Sequence, residues 1–302
     1  MGNLCFLFFL VFLFLLSIIL FAWILSNRII NQEIENVDNT TRDQLGRLIS
    51  ENYRVDDFSQ VYPIEIDPEE ITIVSWSVDP ERTRSWTDFT RKRLEEYTSY
   101  HGYKLRYFTE VINKRAPILW QKIYAVQKAL QEPTCQAVMW VDDDIIITSP
   151  QRSVQDFMSM TEKPMIFSED IGDKPNQEPL HKPEYYWNVM NAGIFILRKT
   201  PETMAFLEDV IKGREELFGG FWNKQHYHDQ SVMSYYLYTK YLDNFALMPL
   251  GYLQSIYKTS TWRPEHFSLH LAGETKATRY RVIKKVLENT ASLCFSNINS
   301  NF

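Results

Sequence analysis

From Ile71 onward, the chain alternates between two patterns of apolar and polar residues. Short runs of β-branched and aromatic residues predict buried strands, and apolar residues that recur every three or four positions predict amphipathic helices. Because the two patterns follow each other in turn, we expect an α/β fold with a mostly parallel central sheet flanked by helices. The predicted strands are 71–78, 105–108, 136–148, 164–168 and 192–197. The predicted helices lie at 86–100 and 120–130, from the cap Thr200 and first-turn Pro201 to about 212, and from 228 onward.

The first apolar run is longer than any strand requires. From Leu4 to Leu25 only Ser17 interrupts a stretch of 22 residues, which as a helix measures about 33 Å and can cross a bilayer. We therefore predict an N-terminal transmembrane helix that acts as a signal anchor. A cleaved signal peptide is the weaker interpretation, because a basic start and a small-residue cleavage site are missing.

The sequence leaves the orientation of this anchor open. A sequon at Asn39-Thr40-Thr41 has meaning only if the following residues are lumenal. The positive charges that follow the anchor favour the opposite, cytosolic placement of the catalytic domain; they are Arg28, Arg42 and Arg47.

Residues 26–70 are rich in polar side chains and predict a stem between the anchor and a globular domain. A stripe of four apolar residues in this stem favours a solvated single helix over a dimerising one; its members are Ile30, Ile34, Val37 and Leu48. The predicted organisation is an anchor at 4–25, a stem at 26–70, a catalytic domain at 71–290 and a C-terminal tail at 291–302.

The composition is that of an ordered globular protein, with 45% apolar, 15% aromatic and 23% charged residues. A net charge of −6 argues against a general nucleic-acid-binding protein, which would present excess Lys and Arg to phosphates. Cys135 and Cys294 are the cysteines outside the anchor, so no disulfide framework is indicated.

Three adjacent carboxylates, Asp142, Asp143 and Asp144, interrupt the most apolar run of the globular part. Side chains alternate along a strand, so Asp142 and Asp144 are expected on one face and Asp143 on the other. Two carboxylates on one face suit a hard divalent ion that is also bound by substrate phosphate. A solvated turn is the alternative, and we consider it weaker because 145–147 continue the apolar pattern.

Ligands of open α/β sheets bind beyond the carboxyl ends of the strands, and Ser75 is expected there with the three carboxylates. Asn191 is a candidate for binding a sugar hydroxyl, and Gly193 allows either close backbone approach or a simple bulge. Lys276 and Arg279 either contact a diphosphate or form an ordinary basic surface. Three tryptophans either stack on sugar rings or belong to the core: Trp187, Trp222 and Trp262.

Five motifs, in order, resemble glycosyltransferase family 34, the galactosyl/mannosyl/xylosyltransferases. They are Leu119-Trp120-Gln121-Lys122-Ile123, Trp140-Val141-Asp142-Asp143-Asp144, Asn191-Ala192-Gly193-Ile194-Phe195-Ile196-Leu197-Arg198, Asp229-Gln230-Ser231 and His270-Leu271-Ala272-Gly273. The resemblance covers about 71–279. It implies the GT-A fold, a UDP- or GDP-linked sugar donor, Mn²⁺ or Mg²⁺, and retention of the anomeric configuration.

The resemblance also implies residue roles. Asp142, Asp144 and His270 would bind the metal, and Lys122 would contact the donor. Asp229 and Gln230 would lie near the anomeric carbon and stabilise an oxocarbenium-like transition state. The chain departs from the family pattern at Asp143, the central residue of the acidic motif, and after Gly273, where Glu274 replaces the family's Cys.

These observations predict a membrane-anchored, metal-dependent retaining glycosyltransferase that moves a hexose or pentose to a glycan or glycoprotein acceptor. The family's usual location suggests the Golgi or another endomembrane, with a lumenal catalytic domain, and the stem could support a homodimer. A nucleotidyl- or phosphotransferase is an alternative, although neither GxxxxGK[ST] nor GxGxxG occurs. A catalytically inactive glycan-binding scaffold is the other alternative.

Overall fold

The computed structural model describes residues 55, 59–77, 86–170, 190–217, 228–257 and 262–295. Within these residues the chain forms strands interspersed with α-helices, so the predicted α/β architecture is confirmed. The strands are β1 (Ile71–Trp76), β2 (Lys104–Phe108), β3 (Ala137–Val141), β4 (Ile145–Ile147), β5 (Met165–Glu169), β6 (Met190–Arg198), β7 (Phe245–Met248), β8 (Ser255–Ile256) and β9 (Ser268–His270). The helices are α1 (Trp86–His101), α2 (Gln121–Leu130), α3 (Val154–Met158), α4 (Pro201–Glu216), α5 (His228–Thr239) and α6 (Lys276–Phe295).

The larger sheet has the strand order β2-β1-β3-β6-β5-β7. β1 pairs in parallel with β2 and β3, and β5 pairs in parallel with β7. β6 is antiparallel to both of its neighbours, β3 and β5. The sheet is therefore mixed: five strands run in the same direction, and β6 runs in the opposite direction. A smaller sheet has the order β4-β9-β8.

The predicted single strand over 136–148 is wrong. β3 ends at Val141 and β4 begins at Ile145, and the two strands belong to different sheets. The three aspartates form the turn between them, in which the Ile145 N–H donates to the Asp142 carbonyl at 3.1 Å. This turn differs from the solvated turn that was the alternative to a metal site, because Asp144 is buried. The apolar run after the aspartates forms a second buried strand instead of continuing the first.

Alternate side chains of β3 pack on opposite faces of the larger sheet, as the strand period requires. Trp140 contributes to a core cluster formed with α2, α4 and α5, while Met139 contributes to a cluster that includes residues of α1 and β4. A third, smaller cluster lies between α1, the smaller sheet and α6 and contains Trp86, Leu269 and Ile283. The larger sheet is thus covered on both faces, which leaves its strand ends for ligands.

Helix α4 begins as predicted. The Thr200 side chain accepts a hydrogen bond from the Thr203 N–H at 3.3 Å, and Pro201 is the first helical residue. The helix continues to Glu216, four residues beyond the predicted end, because its buried face extends to Arg214. Gly213 lies against Tyr236 of α5, so the last turn of α4 is part of a close helix contact.

Part of the predicted stem packs against the globular domain. The Val55 N–H donates to the Leu247 carbonyl of β7 at 3.0 Å, and the Tyr62 N–H donates to the Ser159 carbonyl at 2.8 Å. At the other end, α6 extends to Phe295, past the predicted boundary at 290. The predicted anchor at 4–25 lies outside the described residues. Among the helices of the described ranges, none has the length and apolar character needed to span a membrane.

Candidate active site

Asp142, Asp144 and His270 form a group that could hold a metal ion, called the metal cluster below, with one ligand atom from each lying within 4.8 Å of the others. Asp142 and Asp144 lie in the turn after β3, and His270 is the last residue of β9. Ile145 pairs with His270 in the antiparallel register of β4 and β9, and the Leu271 N–H donates to the Asp144 carbonyl at 3.1 Å. Strand pairing therefore brings the histidine to the acidic turn.

An imidazole and a guanidinium group contact Asp144. His270 Nε2 lies 3.3 Å from one carboxylate oxygen, and Arg279 Nη2 lies 2.7 Å from the other. Burial alone would raise the pKa of Asp144, but His270 and Arg279 lower it to about 2. Burial would likewise lower the pKa of His270, yet the charge and hydrogen bond of Asp144 raise it above its ordinary value. The carboxylate is therefore held ionised.

These residues fit a divalent cation. Two carboxylates and an imidazole are ligands that suit Mn²⁺ or Mg²⁺ together with substrate oxygen atoms, and the imidazole favours Mn²⁺. His270 Nδ1 is buried and has no hydrogen-bond partner among the described residues. Burial raises the pKa of Asp142; the charge of Lys122 opposes this rise and that of Asp144 adds to it. A bound cation would relieve the repulsion between the two carboxylates.

Lys122 of α2 joins the metal cluster to the predicted catalytic residue Asp229. Its Nζ lies 3.2 Å from Asp142 Oδ1 and 3.1 Å from Asp229 Oδ2, and it donates to the Ala192 carbonyl at 2.9 Å. Burial alone would lower the pKa of Lys122, but the two carboxylates raise it above its ordinary value. The ammonium group therefore stays charged and fixes the distance between Asp142 and Asp229.

A β-bulge exposes the backbone of Asn191–Gly193 to the site. The register between β5 and β6 shifts between Phe167, which pairs with Phe195, and Ser168, which pairs with Asn191, so residues 192–194 of β6 have no partner in β5. Side chains satisfy the backbone instead: Gln230 Oε1 accepts from the Ala192 N–H at 3.0 Å, and Asn191 Oδ1 accepts from the Gly193 N–H at 2.8 Å. The Gly193 carbonyl accepts from the Asp142 N–H at 2.8 Å. Gly193 therefore lies in a bulge, and its close approach to a ligand stays a prediction.

Asp170 and Trp140 belong to the site, although neither was singled out from the sequence. Asp170 Oδ2 accepts from Gln230 Nε2 at 3.0 Å and from Asn191 Nδ2 at 3.5 Å. Trp140 Nε1 donates to Asp142 Oδ1 at 2.7 Å. The available signal for Asp170 was its position just beyond the carboxyl end of a predicted strand. Trp140 showed no signal of a functional role beyond its place in the acidic motif, because a tryptophan in an apolar run predicts only core packing.

The remaining predicted residues lie around this centre. Ser75 is buried one residue before the end of β1, and its hydroxyl has no hydrogen-bond partner in the described ranges. Asp143 belongs to the same turn, but its carbonyl accepts from Thr90 Oγ1 of α1 at 3.1 Å. Its charge, after burial, contributes to raising the pKa of Tyr107 to about 12, so Asp143 faces β2 and not the metal cluster.

The segment after His270 contains three further predicted residues. Gly273 occupies a turn with a φ of +67°, a conformation that favours glycine. Lys276 is exposed at the first position of α6. Arg279 is not an ordinary surface residue, because it binds Asp144, lies 5.3 Å over the Trp86 ring and donates to the Leu271 carbonyl.

Of the three tryptophans considered for sugar stacking, Trp262 packs against the third core cluster, and its Nε1 lies 3.5 Å from Thr148 Oγ1. Trp187 and Trp222 lie outside the described residues. Cys135 is a buried free thiol, and burial raises its pKa.

The fold and the position of this cluster place the chain among the α/β enzymes that bind ligands at the carboxyl edge of the sheet. The chain belongs to the galactosyl transferase GMA12/MNN10 family, whose model matches residues 71–281. The resemblance drawn from the five motifs is thereby confirmed, and the protein is a glycosyltransferase. A search of curated protein sequences finds no match.

The structure is similar to several solved structures. One is the crystal structure of a glycosyltransferase involved in the glycosylation of the major capsid of PBCV-1, with a TM-score of 0.53 and 18% identity, covering 71% of this chain and 98% of that chain. Two structures of the glycosyltransferase GlyE from Streptococcus pneumoniae TIGR4 have TM-scores of 0.45 and 0.42 and identities of 14% and 13%. They cover 73% and 74% of this chain, and the matches span 63% and 64% of the GlyE chains.

Proposed function

We propose that the protein is a metal-dependent retaining glycosyltransferase that moves a hexose or pentose from a UDP- or GDP-linked donor to a glycan or glycoprotein acceptor. The observation that carries this proposal is the convergence of Asp142, Asp144 and His270 within 4.8 Å at the strand ends. Retention of the anomeric configuration and the choice of donor rest on the family resemblance.

Each residue of the site would have a separate role. Asp142, Asp144 and His270 would hold Mn²⁺ or Mg²⁺, which when bound supplies Lewis-acid stabilisation of the charge on a leaving diphosphate. Lys122 and Trp140 orient Asp142, and Lys122 also orients Asp229. Asp229 and Gln230 would face the donor sugar, where a carboxylate stabilises an oxocarbenium-like transition state. Arg279 would add a fixed positive charge beside the diphosphate.

The cellular context is part of the proposal. A signal anchor at 4–25, a lumenal catalytic domain and a Golgi or other endomembrane location follow from the sequence pattern and the family's usual location. Dimerisation through the stem is a further prediction from the sequence. The nucleotidyl- or phosphotransferase alternative is set aside because the chain belongs to a glycosyltransferase family. The inactive-scaffold alternative is opposed by the intact cluster and by the charged Lys122.

The decisive experiment uses the full-length protein purified in detergent. It is incubated with Mn²⁺ and a panel of UDP- and GDP-sugars, and released nucleotide is measured by mass spectrometry with and without chelator. We expect chelator-sensitive turnover of one donor, and its loss in the Asp142→Asn/Asp144→Asn variant. Asp88→Asn, which changes an exposed acid in the first turn of α1, is the matched control. Turnover that persists with chelator, or no turnover of any donor, contradicts the proposal.

The stereochemical part has its own test. NMR of the product formed from an α-linked donor, with a simple glycoside as acceptor, is expected to show an α-linked sugar at the earliest time points. A β-linked product would reject retention while leaving transfer itself intact.

A further inference from the structure

A second pocket lies on the outer side of α2, apart from the metal cluster. It is bounded by the segment 112–115, which follows β2, and by the exposed face of α2, and its volume is about 560 Å³. Lys122, the residue of α2 that enters the active site, does not line it. Three cationic side chains contribute to its lining and no acidic side chain does; the cations are Lys114, Arg115 and Lys128.

None of these three side chains forms an ion pair with another described residue. Lys128 lies over the ring of Phe108, 5.5 Å from its centre. Glu132, which follows the lining residue Gln131 in the sequence, is bound by Arg106 at 2.7 Å. The whole chain has a net charge of −6, so these three cations form a local positive region on a chain that is negative overall.

The segment that carries Lys114 and Arg115 is held in place by a buried side chain. Gln121 is fully buried, and its Oε1 accepts from the N–H groups of Ile112 and Asn113 at 2.8 and 2.9 Å. Its Nε2 donates to the carbonyls of Asn113 and Ala116 at 2.9 and 3.2 Å.

Two more contacts fix the same segment from either side. Asn113 Oδ1 accepts from the Arg115 N–H at 2.9 Å, and Arg214 of α4 donates to the Arg115 carbonyl at 3.2 Å. The side chains of Lys114 and Arg115 are exposed, whereas their backbone is anchored to the interior. The two charges are therefore presented from an ordered backbone, which lowers the entropic cost of binding a ligand.

We propose that this pocket binds an anionic group of the phosphate or sulfate class, distinct from the donor diphosphate. An arginine and two lysines provide the charge-assisted donors that such a group requires. Tyr124 and Gln127 on the same face of α2 add neutral hydrogen-bonding groups, which suit a sugar ring attached to the anion. The volume accommodates a phosphorylated or sulfated monosaccharide.

The pocket and the active site lie on different sides of one helix. Lys122 and Lys128 are six residues apart on α2, a rise of about 9 Å along its axis. An extended acceptor that carries a phosphate or sulfate could thus bind here with one sugar while another occupies the active site. A free anion could bind by the same chemistry, and the experiment separates the two sources. The proposal does not depend on the metal cluster or on the donor.

The test measures binding directly, by isothermal titration of the full-length protein in detergent at low salt. The probes are inorganic phosphate, glucose 6-phosphate, glucose 6-sulfate and neutral glucose. We expect the anionic probes to bind and glucose not to bind. Tighter binding of the two sugar esters than of phosphate assigns the pocket to an anionic glycan, whereas equal or tighter binding of phosphate assigns it to a free anion.

Two triple variants with the same change in charge locate the site. Lys114→Ala/Arg115→Ala/Lys128→Ala removes the pocket cations and should weaken anion binding at least about tenfold. Arg281→Ala/Lys284→Ala/Lys285→Ala removes one arginine and two lysines from the exposed face of α6 and should leave binding unchanged. Equal losses in both variants, or the absence of anion binding by the unaltered protein, would overturn the proposal.

The same variants separate this proposal from the proposed function. Chelator-sensitive release of nucleotide from the donor, measured without acceptor, is expected to be equal in the pocket variant and in the unaltered protein. If donor turnover falls in parallel with anion binding, the anion site is the donor site and the inference of a separate pocket is rejected.

Discussion

Gly193 lies directly against the imidazole of His270. A Cβ atom placed on Gly193 would come within 2.7 Å of His270 Nδ1, closer than van der Waals contact allows, and it would also lie 2.9 Å from Asn191 Oδ1. The bulged strand β6 thus approaches the last residue of β9 so closely that only glycine fits between the two sheets. The metal cluster depends on this approach, because the same imidazole contacts Asp144 on its other side.

Replacement of Gly193 by alanine is therefore predicted to displace His270. We expect the affinity for Mn²⁺ to fall at least about tenfold, because one ligand leaves its position, and we would measure it by electron paramagnetic resonance of free Mn²⁺. In a chain that already carries His270→Ala, Gly193→Ala should add little further loss. A full additional loss in that double variant would show that the effect does not pass through His270.

Trp140→Phe is predicted to weaken metal binding without a comparable loss of stability. The substitution removes the indole N–H that donates to Asp142 Oδ1 at 2.7 Å, and such supporting hydrogen bonds are commonly worth about 10- to 100-fold in metal affinity. Trp120→Phe is the matched control, because Trp120 is buried in the same core cluster and its Nε1 has no hydrogen-bond partner among the described residues. Equal effects of the two substitutions on Mn²⁺ affinity would contradict the assigned role.

Lys122→Met is predicted to destabilise the fold, because it leaves Asp142 and Asp229 close together without their shared cation. Loss of one partner from a buried ion pair costs about 3–5 kcal/mol in the free energy of unfolding, which denaturant titration measures. Asp229→Asn in the same chain should recover part of this loss. Lys212→Met breaks an exposed pair with Glu216 and should cost less than about 0.5 kcal/mol. Similar costs for the two lysines would disprove the structural role of Lys122.

Asp170→Ala is predicted to lower kcat more than it changes the KM for the donor. The substitution removes the acceptor that fixes the Gln230 amide, and Gln230 is expected to act near the anomeric carbon. Asp170→Asn keeps an oxygen that accepts the same hydrogen bond, so we expect it to retain a larger part of kcat. Steady-state kinetics with the preferred donor measures both constants. An alanine variant with unchanged kcat would show that this hydrogen bond is not needed for turnover.

Much of this arrangement follows from local patterns. Short runs of β-branched and aromatic residues predicted β1, β5 and β6 to within a few residues, and Thr200 with Pro201 marked the start of α4, because neighbouring residues alone set these features. The acidic triplet predicted a site that could hold a metal ion, since adjacent carboxylates in an apolar run favour a bound cation, and Asp142 and Asp144 lie in such a group with His270. The same pattern suggested one strand where there are two, because an apolar run does not reveal that the chain leaves one sheet and enters another at Asp142.

Tertiary structure decided which distant groups meet. The pairing of β4 with β9 brings His270 and Arg279 to Asp144, and the packing of α2 and α5 on one face of the sheet brings Lys122 to Asp229. At the bulge in β6, the backbone N–H of Ala192 donates to the side chain of Gln230, which in turn donates to Asp170. Local sequence specified the α/β class and the position of the acidic triplet, because both depend on neighbouring residues, whereas the turn at the triplet was found only in the folded chain. The contacts of that turn required the folded chain, because strand pairing and helix packing depend on the fit of whole surfaces.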